Sequence, residues 1–565
     1  MNTEPARRPP DLRLVPAALA VWVTVLMGLH LGPVAAAVLT GLAAGTALIV
    51  RTRRPVLLAV AGCAAAAGLV VTAHGTLLAQ HPLRAAAESG AAATLRVVTT
   101  DDPRRVRGGL PGDPQVLLPA VLEHAESGDG SWDAGGRVLL IAPAPGWTAL
   151  LPGQVLTAQG LLAPAARSDL TVAVLRVRGP PQEMGPPPWW QTAAGSLRAG
   201  LREAAAVLPD APGGLLPGLA VGDTTGLATE VEDDFRAAGL SHLTAVSGAN
   251  LAIVAGAVLA LLRLCGADPR WSAWAGGAVL LGFVVLARPS PSVVRAAVMG
   301  AVVLLALAAG RSRSAVPALA ATVLVLLLAD PALAVDPGFA LSVLATGALV
   351  LVAPGWADAL RGRGAPGWVA EALVVPAAAF LVTAPVVAGL SGQIAPVAIV
   401  ANLLAVPAVA PATMLGVLAA LVSPVSPAAA QACAWLAWPA VGWLVAVAAR
   451  AAAIPGAALP WPEGGLGALL AAGALGALVL CWRARRGRAL LVAVLLGLAL
   501  VLVPTRVVPP GWPPPGWAVV ACDVGQGDAV VLATGQPGRA VLVDVGPDTG
   551  PVDACLDRLG IQNLA

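Results

Sequence analysis

The chain has 565 residues, of which 58% are hydrophobic and 12% are charged, and its mean hydropathy is +0.81. This composition excludes an ordinary soluble protein and predicts a polytopic α-helical membrane protein, because many apolar runs are long enough to cross a bilayer. The 34 basic and 31 acidic residues give a net charge of +3, which is too small to indicate nucleic-acid binding by itself.

Three apolar segments open the chain within residues 1–84, the predicted N-terminal transmembrane domain. Residues 16–31 and 33–50 predict a helical hairpin, and residues 55–80 predict a third crossing. Arginines lie before the first segment and after the second, and such clusters normally stay cytoplasmic. They are Arg7, Arg8, Arg13, Arg51, Arg53 and Arg54. We therefore expect residue 81 on the outer side.

Residues 85–184 change in character. Short runs alternate apolar and polar positions and are separated by Gly, Pro and Asp, which predicts a small β domain in an extracytoplasmic loop. Residues 185–242 follow as a stiff linker and amphipathic interfacial helices, with Trp189 and Trp190 as anchors at the membrane surface.

An acidic helix and an apolar segment then follow in close succession. Thr229 and Glu232 have the spacing of a capping box, and Gly239 is placed to end the helix in a left-handed conformation. Residues 243–262 are about the length needed to cross the hydrocarbon core. They begin the predicted polytopic channel domain, residues 243–504.

Polar residues interrupt this segment at intervals of three, which places them on one helical face. They are Thr244, Ser247 and Asn250. Because uncovered polar groups are costly in lipid, we expect this face to meet protein or water and to line a translocation path. Gly248, Ala252 and Gly256 also form a small-residue ridge suited to close helix packing.

Ten crossings are predicted from residue 243 onward, and with the first three they give about 13. They are residues 243–262, 271–287, 291–309, 315–330, 337–353, 367–390, 394–422, 427–449, 461–481 and 489–504. The turns that carry arginine all fall on the cytoplasmic side in this count, which places the C-terminus outside.

Further polar residues lie in or beside these crossings. Arg295 follows two prolines near a membrane entrance, where a guanidinium suits either phosphate or a lipid headgroup. Asn402 lies with Pro407 in a segment that predicts a broken helix lining a cavity. Asp336 begins a turn before Phe339. The Phe339 side chain suits either a gate or ordinary packing.

The last part of the chain predicts a second soluble segment. Residues 505–516 form a Pro-rich linker, and residues 517–565 contain alternating strands joined by Gly-rich turns, followed by a helix. The six cysteines show no CxxC motif, and their spacing indicates no disulfide framework.

Several of these stretches together resemble the ComEC-type competence DNA channel family. The first is a G-L-x-H-L-x-A-x-S-G signature, which here contains Gly239, His242 and Gly248. The second is a D-P-G-F-x-L-S run with Asp336, Gly338 and Phe339. The third resembles the opening of a metallo-β-lactamase-like domain, with Asp523, Gly525, Asp528 and Asp544.

The resemblance implies an inner-membrane channel that passes one strand of transforming DNA to the cytoplasm. It implies an OB-like barrel at residues 85–184 and an incomplete metallo-β-lactamase-like α/β segment at residues 517–565. Its implied partners are single-stranded DNA, membrane lipids, a DNA receptor and a cytoplasmic helicase or motor. A complete C-terminal domain would hold two divalent metals, Zn or Mn, in an H-x-H-x-D-H cluster. No His follows His242, so no metal, cofactor or nuclease activity is expected of this chain.

Two other functions remain open. One is a membrane-anchored phosphodiesterase or nuclease whose catalytic half is absent from the sequence. The other is a small-solute or lipid transporter, which a cluster of ionisable groups within the membrane would favour.

Overall fold

The structure of the protein is a computed structural model. It describes residues 11–50, 55–106, 114–128, 130–165, 169–244, 246–288, 291–308, 315–454, 456–484, 488–489, 493, 515–524, 529–545 and 549–565. The chain forms two compact units. The first covers Met1–Gly108 and Pro114–Gly473, and the second includes Ala474–Ala565.

Helices dominate the chain up to residue 484. They are α1 (Val15–Leu31), α2 (Pro33–Val50), α3 (Pro55–Ala79), α4 (Pro82–Glu88), α5 (Trp189–Ala205), α6 (Asp210–Val221), α7 (Thr229–Ala237), α8 (Gly248–Leu264), α9 (Pro269–Ala287), α10 (Pro291–Ala308), α11 (Ala315–Ala329), α12 (Pro337–Leu351), α13 (Ala353–Arg361), α14 (Gly367–Ser391), α15 (Ala398–Val422), α16 (Pro427–Ala452) and α17 (Gly464–Arg483). Two 3-10 helices, Ser241–Leu243 and Pro331–Val335, and a two-stranded pairing of β8 (Gln393–Ile394) with β9 (Leu459–Pro460) complete the set.

Seven helices in the described part of the chain are long and apolar enough to cross a membrane. Five shorter apolar helices accompany them. The helical membrane class predicted from composition is therefore confirmed. The predicted crossing at 489–504 lies outside the described residues, as do the Arg clusters at 7–8 and 51–54 and the turn at 310–313.

The first three helices pack closely because small residues face their neighbours. A Cβ added at Gly28 would lie 2.6 Å from Val71 Cγ1, and one at Gly68 would lie 2.2 Å from Thr40 Oγ1. Contacts this short leave room for hydrogen alone, so glycine allows α1 and α2 to approach α3. The predicted hairpin of α1 and α2 is confirmed.

A β sheet follows, as the alternating pattern predicted. Its strands are β1 (Ala92–Thr99), β2 (Arg104–Arg105), β3 (Gln115–Ser127), β4 (Gly130–Trp132), β5 (Gly136–Pro143), β6 (Val155–Ala163) and β7 (Thr171–Val177). The order β1-β6-β7-β5-β3 closes on itself because β1 also pairs with β3. All pairings in this ring are antiparallel except that of β5 with β7, which is parallel. Alternate side chains fill the interior around Trp147, which is fully buried.

The acidic helix α7 forms where it was predicted, but the capping box does not. The helix begins at Thr229 with Ala228 in the N-cap position, and no side chain caps it. Thr229 is thus one residue too late to act as the cap. Gly239 does adopt a left-handed conformation, with φ +68°, and Leu240 donates its N–H to the carbonyl of Phe235, so the predicted helix stop is confirmed.

The second unit contains a small sheet in the order β10 (Val519–Cys522), β11 (Ala529–Ala533), β12 (Arg539–Val543) and β13 (Asn563–Leu564). Helix α18 (Thr549–Leu559) covers one face of it. A disulfide joins Cys522 to Cys555, from β10 to α18. The expectation of no disulfide was wrong, because 33 residues separate the pair and spacing alone could not show that the fold brings them together.

Candidate functional site

The buried C-terminal end of α6 contacts several residues of the candidate site. Residues 215–221 of this short helix are all buried, and the last carbonyls of a helix have no partners within it. Nδ2 of Asn250 donates to the carbonyl of Leu219 at 2.8 Å, and Nη1 of Arg198 donates to that of Val221 at 2.5 Å. Asn250 is 2% exposed. Its side chain therefore satisfies a neighbouring helix end.

Thr244 and Ser247 lie before α8 and not within it, so the prediction that both share a helical face with Asn250 was wrong. The helix begins at Gly248 because Ser247 acts as its N-cap, with its Oγ accepting from the N–H of Asn250 at 3.4 Å. Ser247 also donates to Oδ1 of Asn250 at 3.1 Å. Oγ1 of Thr244 donates to the carbonyl of Ser241 at 2.8 Å. His242 lies in the 3-10 helix Ser241–Leu243, which directly precedes Thr244.

Arg295 is buried within the helices, with 5% of its surface exposed. Its Nε donates to Oγ of Ser342 at 2.8 Å, and its Nη1 lies 3.1 Å from Sδ of Met299. No carboxylate forms an ion pair with it among the residues that the structure describes. Burying a guanidinium without a counter-ion in a membrane protein costs free energy. Such residues are therefore usually functional or in contact with water.

Two separate sequence motifs meet at this arginine. Gly248, from the first, faces it so closely that an added Cβ would lie 3.3 Å from Nη2 of Arg295 and 3.0 Å from Cβ of Ala296. Ser342 is the last residue of the D-P-G-F-x-L-S run. Ser342 was not singled out from the sequence, although its place in the motif was the available signal. The fold thus assembles α8, α10 and α12 around one buried cation.

The comparisons with known proteins match the part of the chain that contains this arginine. Residues 219–486 match the family model described as Competence protein. Residues 219–486 thus form a domain of the ComEC-type competence protein family, which supports a general role in DNA uptake and an integral membrane location. No curated protein and no solved structure shows a significant match to the chain.

In the Competence domain, residues 219–486, the two aspartates beside α12 serve as helix caps. Oδ1 of Asp336 accepts from the N–H of Phe339 at 2.6 Å, and Oδ1 of Asp330 accepts from that of Ala332 at 3.1 Å. Gly338 lies in the first turn of α12. Phe339 is fully buried, with its ring centroid 5.3 Å from that of Trp22 on α1. The turn chemistry is as predicted, and Phe339 packs in the core.

Asn402 lies apart from this group, near the start of α15. Its Nδ2 donates to the carbonyl of Ala398 at 2.8 Å. The predicted broken helix was wrong, because α15 runs without interruption through Pro407 and Pro411. Nε1 of Trp443 donates to the carbonyl of Leu404 in the turn before Pro407, at 2.7 Å.

A buried ionic network around Asp223 was not predicted from the sequence. Asp223 follows α6 and its side chain is 1% exposed. It accepts from Nη1 of Arg202 at 2.5 Å and from Oγ1 of Thr225 at 2.6 Å, and Arg198 lies 3.9 Å away. Burial alone would raise the pKa of Asp223, but Arg198, Thr225 and Arg202 together hold it below its usual value. The carboxylate is therefore ionised at neutral pH.

The network continues into the β sheet through Asp102, which lies in the turn after β1. Asp102 pairs with Nη2 of Arg198 at 3.1 Å and with Nε of Arg288, at the end of α9, at 2.9 Å. A second bridge joins the sheet to the Competence domain, since Nη2 of Arg137 lies 2.7 Å from Asp330 Oδ2. The partners of Asp102 are 96 and 186 residues away, which no local pattern reveals.

The C-terminal motif residues occupy strand ends. Asp523 follows β10, and Asp544 follows β12 with φ +61°, where its Oδ1 accepts from the N–H of Val545 at 2.7 Å. Gly525 and Asp528 lie outside the described residues. Within the ranges that the structure covers, no group of three His, Cys, Asp or Glu side chains is arranged to hold a metal ion.

Proposed function

We propose that the chain is a channel of the bacterial inner membrane that passes one strand of transforming DNA to the cytoplasm. The observation that carries this proposal is the convergence of two family motifs on Arg295, a buried guanidinium bonded to a hydroxyl and a thioether. A guanidinium matches the oxygens of a phosphodiester and keeps its charge when buried. Thr244, Ser247, Asn250 and Asn402 are further candidates for the path. A DNA receptor and a cytoplasmic helicase or motor are its proposed partners, with lipids around the helices.

The proposal also assigns a fold to each of the two β regions. We infer an OB-like barrel from the closed ring of five strands with one parallel pair, an arrangement used in many proteins for single-stranded nucleic acid. We infer the start of a metallo-β-lactamase-like domain from the strand order, the V-D-V-G segment and helix α18. If that domain were complete, two divalent metals would be its expected cofactors.

A complementation experiment tests the function. In a transformable bacterium that lacks its own channel gene, expression of the chain should restore transformation, because the channel is the missing step. Binding of DNA to the cell surface should be the same with and without the chain. Normal surface binding without recovery of transformants, at a normal level of membrane-inserted protein, would contradict the proposal.

The proposed topology has 13 crossings with the β sheet and the C-terminal unit both outside the cell. Seven helices long enough to cross a membrane and five shorter apolar helices, all in the described ranges, support this count, which also includes the predicted crossing at 489–504. The disulfide between Cys522 and Cys555 supports it independently, since such bonds persist in oxidising compartments.

Labelling of single cysteines tests this topology. In a chain whose four free cysteines are replaced by serine, Ser131→Cys and Thr534→Cys should both react with an impermeant thiol reagent on intact cells. The matched control keeps only native Cys265, an exposed residue in a turn predicted to be cytoplasmic. Cys265 should react only after the cells are permeabilised. Reaction of Ser131→Cys without Thr534→Cys would contradict the count.

A further inference from the structure

Asp102 is held by two guanidinium groups that converge on its carboxylate. Nε of Arg288 lies 3.0 Å from Oδ1 and 2.9 Å from Oδ2, and Nη2 of Arg198 lies 3.1 Å from Oδ2. The side chains of Arg198 and Arg288 are 8% and 6% exposed, whereas that of Asp102 is 27% exposed. The cations are thus built into the protein, and the anion lies on the side that faces solvent.

The two cations are positioned by groups other than Asp102. Nη1 of Arg198 donates to the carbonyls of Val221 and Leu286, at 2.5 and 3.1 Å. Nη1 of Arg288 donates to Oε1 of Gln191 on α5. Because these bonds do not depend on the carboxylate, the two guanidinium groups would keep an anion-binding arrangement if Asp102 moved away.

Two features single out this arrangement from an ordinary ion pair. Arg288 adopts φ +69° and ψ 152°, a backbone conformation that a residue with a side chain rarely tolerates and that is concentrated at functional sites. In addition, three guanidinium groups, those of Arg198, Arg202 and Arg288, face two carboxylates, those of Asp102 and Asp223. Among the residues that the structure describes, the cluster therefore has one positive charge in excess.

We propose that Arg198 and Arg288 form a binding site for a DNA phosphodiester, and that Asp102 occupies this site until DNA displaces it. A carboxylate and a phosphate present similar oxygens to a guanidinium. Arg288 directly follows α9 and lies seven residues before Arg295 on α10. The proposed phosphate site and the proposed path therefore belong to adjacent parts of the chain. This inference rests on the proposed function, because it takes DNA as the ligand.

Replacement of Asp102 tests the site directly. The full chain, reconstituted in nanodiscs of zwitterionic lipid, is titrated with a fluorescent single-stranded oligonucleotide at several salt concentrations. Asp102→Asn should bind about tenfold more tightly, as expected when one hydrogen bond between charged groups forms with the DNA. Each added phosphate interaction should also steepen the dependence of log affinity on log salt by about 0.7. Asp102→Ser provides the same test if the asparagine variant does not fold.

Two further variants separate phosphate binding from loosening of the β sheet. The increase in affinity should disappear in the double variant Asp102→Asn/Arg288→Gln, because Arg288 binds the phosphate. Asp330→Asn breaks the ion pair with Arg137, which also joins the sheet to the helices. This variant should leave the affinity for the oligonucleotide unchanged. An unchanged affinity and salt slope in Asp102→Asn, or an equal increase in Asp330→Asn, would overturn the site. If the wild-type chain still restores transformation in that case, only this inference fails; absence of both binding and transformation would overturn the proposed function as well.

Discussion

Replacing Arg295 by alanine is expected to lower transformation about a hundredfold or more while leaving the protein folded in the membrane. A hydrogen bond to a charged group contributes about 1.5–3 kcal/mol, and the loss of a pair of such bonds to a phosphate corresponds to at least two powers of ten. The present partners of Arg295 are the neutral groups of Ser342 and Met299. Alanine therefore leaves no buried carboxylate behind among the described residues, and the helices should still assemble.

The matched variants define what this result means. Arg295→Lys should restore transformation only in part, because an ammonium cannot make the paired contact of a guanidinium. Arg263→Ala removes an arginine of the same charge from the exposed last turn of α8 and should transform normally. Wild-type transformation in Arg295→Ala, at equal protein level, would show that Arg295 only packs.

The second large effect is on stability, and it concerns Asp223. Asp223→Ala is expected to destabilise the protein by about 1.5–3 kcal/mol, because it removes the charged hydrogen bonds with Arg202 and Thr225 and one of two counter-charges of the buried Arg198. Chemical denaturation in detergent, followed by tryptophan fluorescence, measures the change. Asp233→Ala is the matched control. It removes an exposed aspartate that pairs with Arg236, so the expected cost is below about 1 kcal/mol.

The same carboxylate predicts a pH dependence. The pKa of Asp223 is lower in the folded state than in the unfolded chain, where it is about 3.9. Its contribution to stability is therefore fully present above that value and is lost as the pH falls through the folded pKa. The acid limb of the stability curve should be shallower in Asp223→Asn than in the wild type. Identical acid limbs would show that the pKa of Asp223 does not change on folding.

The sequence predicted those features that depend on local pattern. Apolar length located the described membrane helices, alternation located the sheet, and Gly239 ended its helix as expected, because each follows from neighbouring residues. The family signature also identified Gly248, and the position of Arg295 after two prolines near a membrane entrance singled out the arginine. Neither could show that the two residues meet, since the contact depends on how α8 packs against α10.

Features set by distant partners were not predictable in this way. The start of α8 was misplaced because Ser247 caps it, and an apolar run does not distinguish a cap from a helix interior. The network of Asp102, Arg198 and Arg288 joins three regions of the chain that have no common motif. Only the folded structure shows that these charges are buried together.

Delivery of a labelled strand tests the central claim most directly. Duplex DNA carrying the label on one strand or on the other is given to cells that depend on this chain, and intact label inside the cytoplasm is counted. One of the two strands should arrive with the wild-type chain, and its amount should fall about a hundredfold or more with Arg295→Ala, although DNA still binds outside. Arrival of label in cells without the chain, or of both strands together, would contradict single-strand transport by this protein.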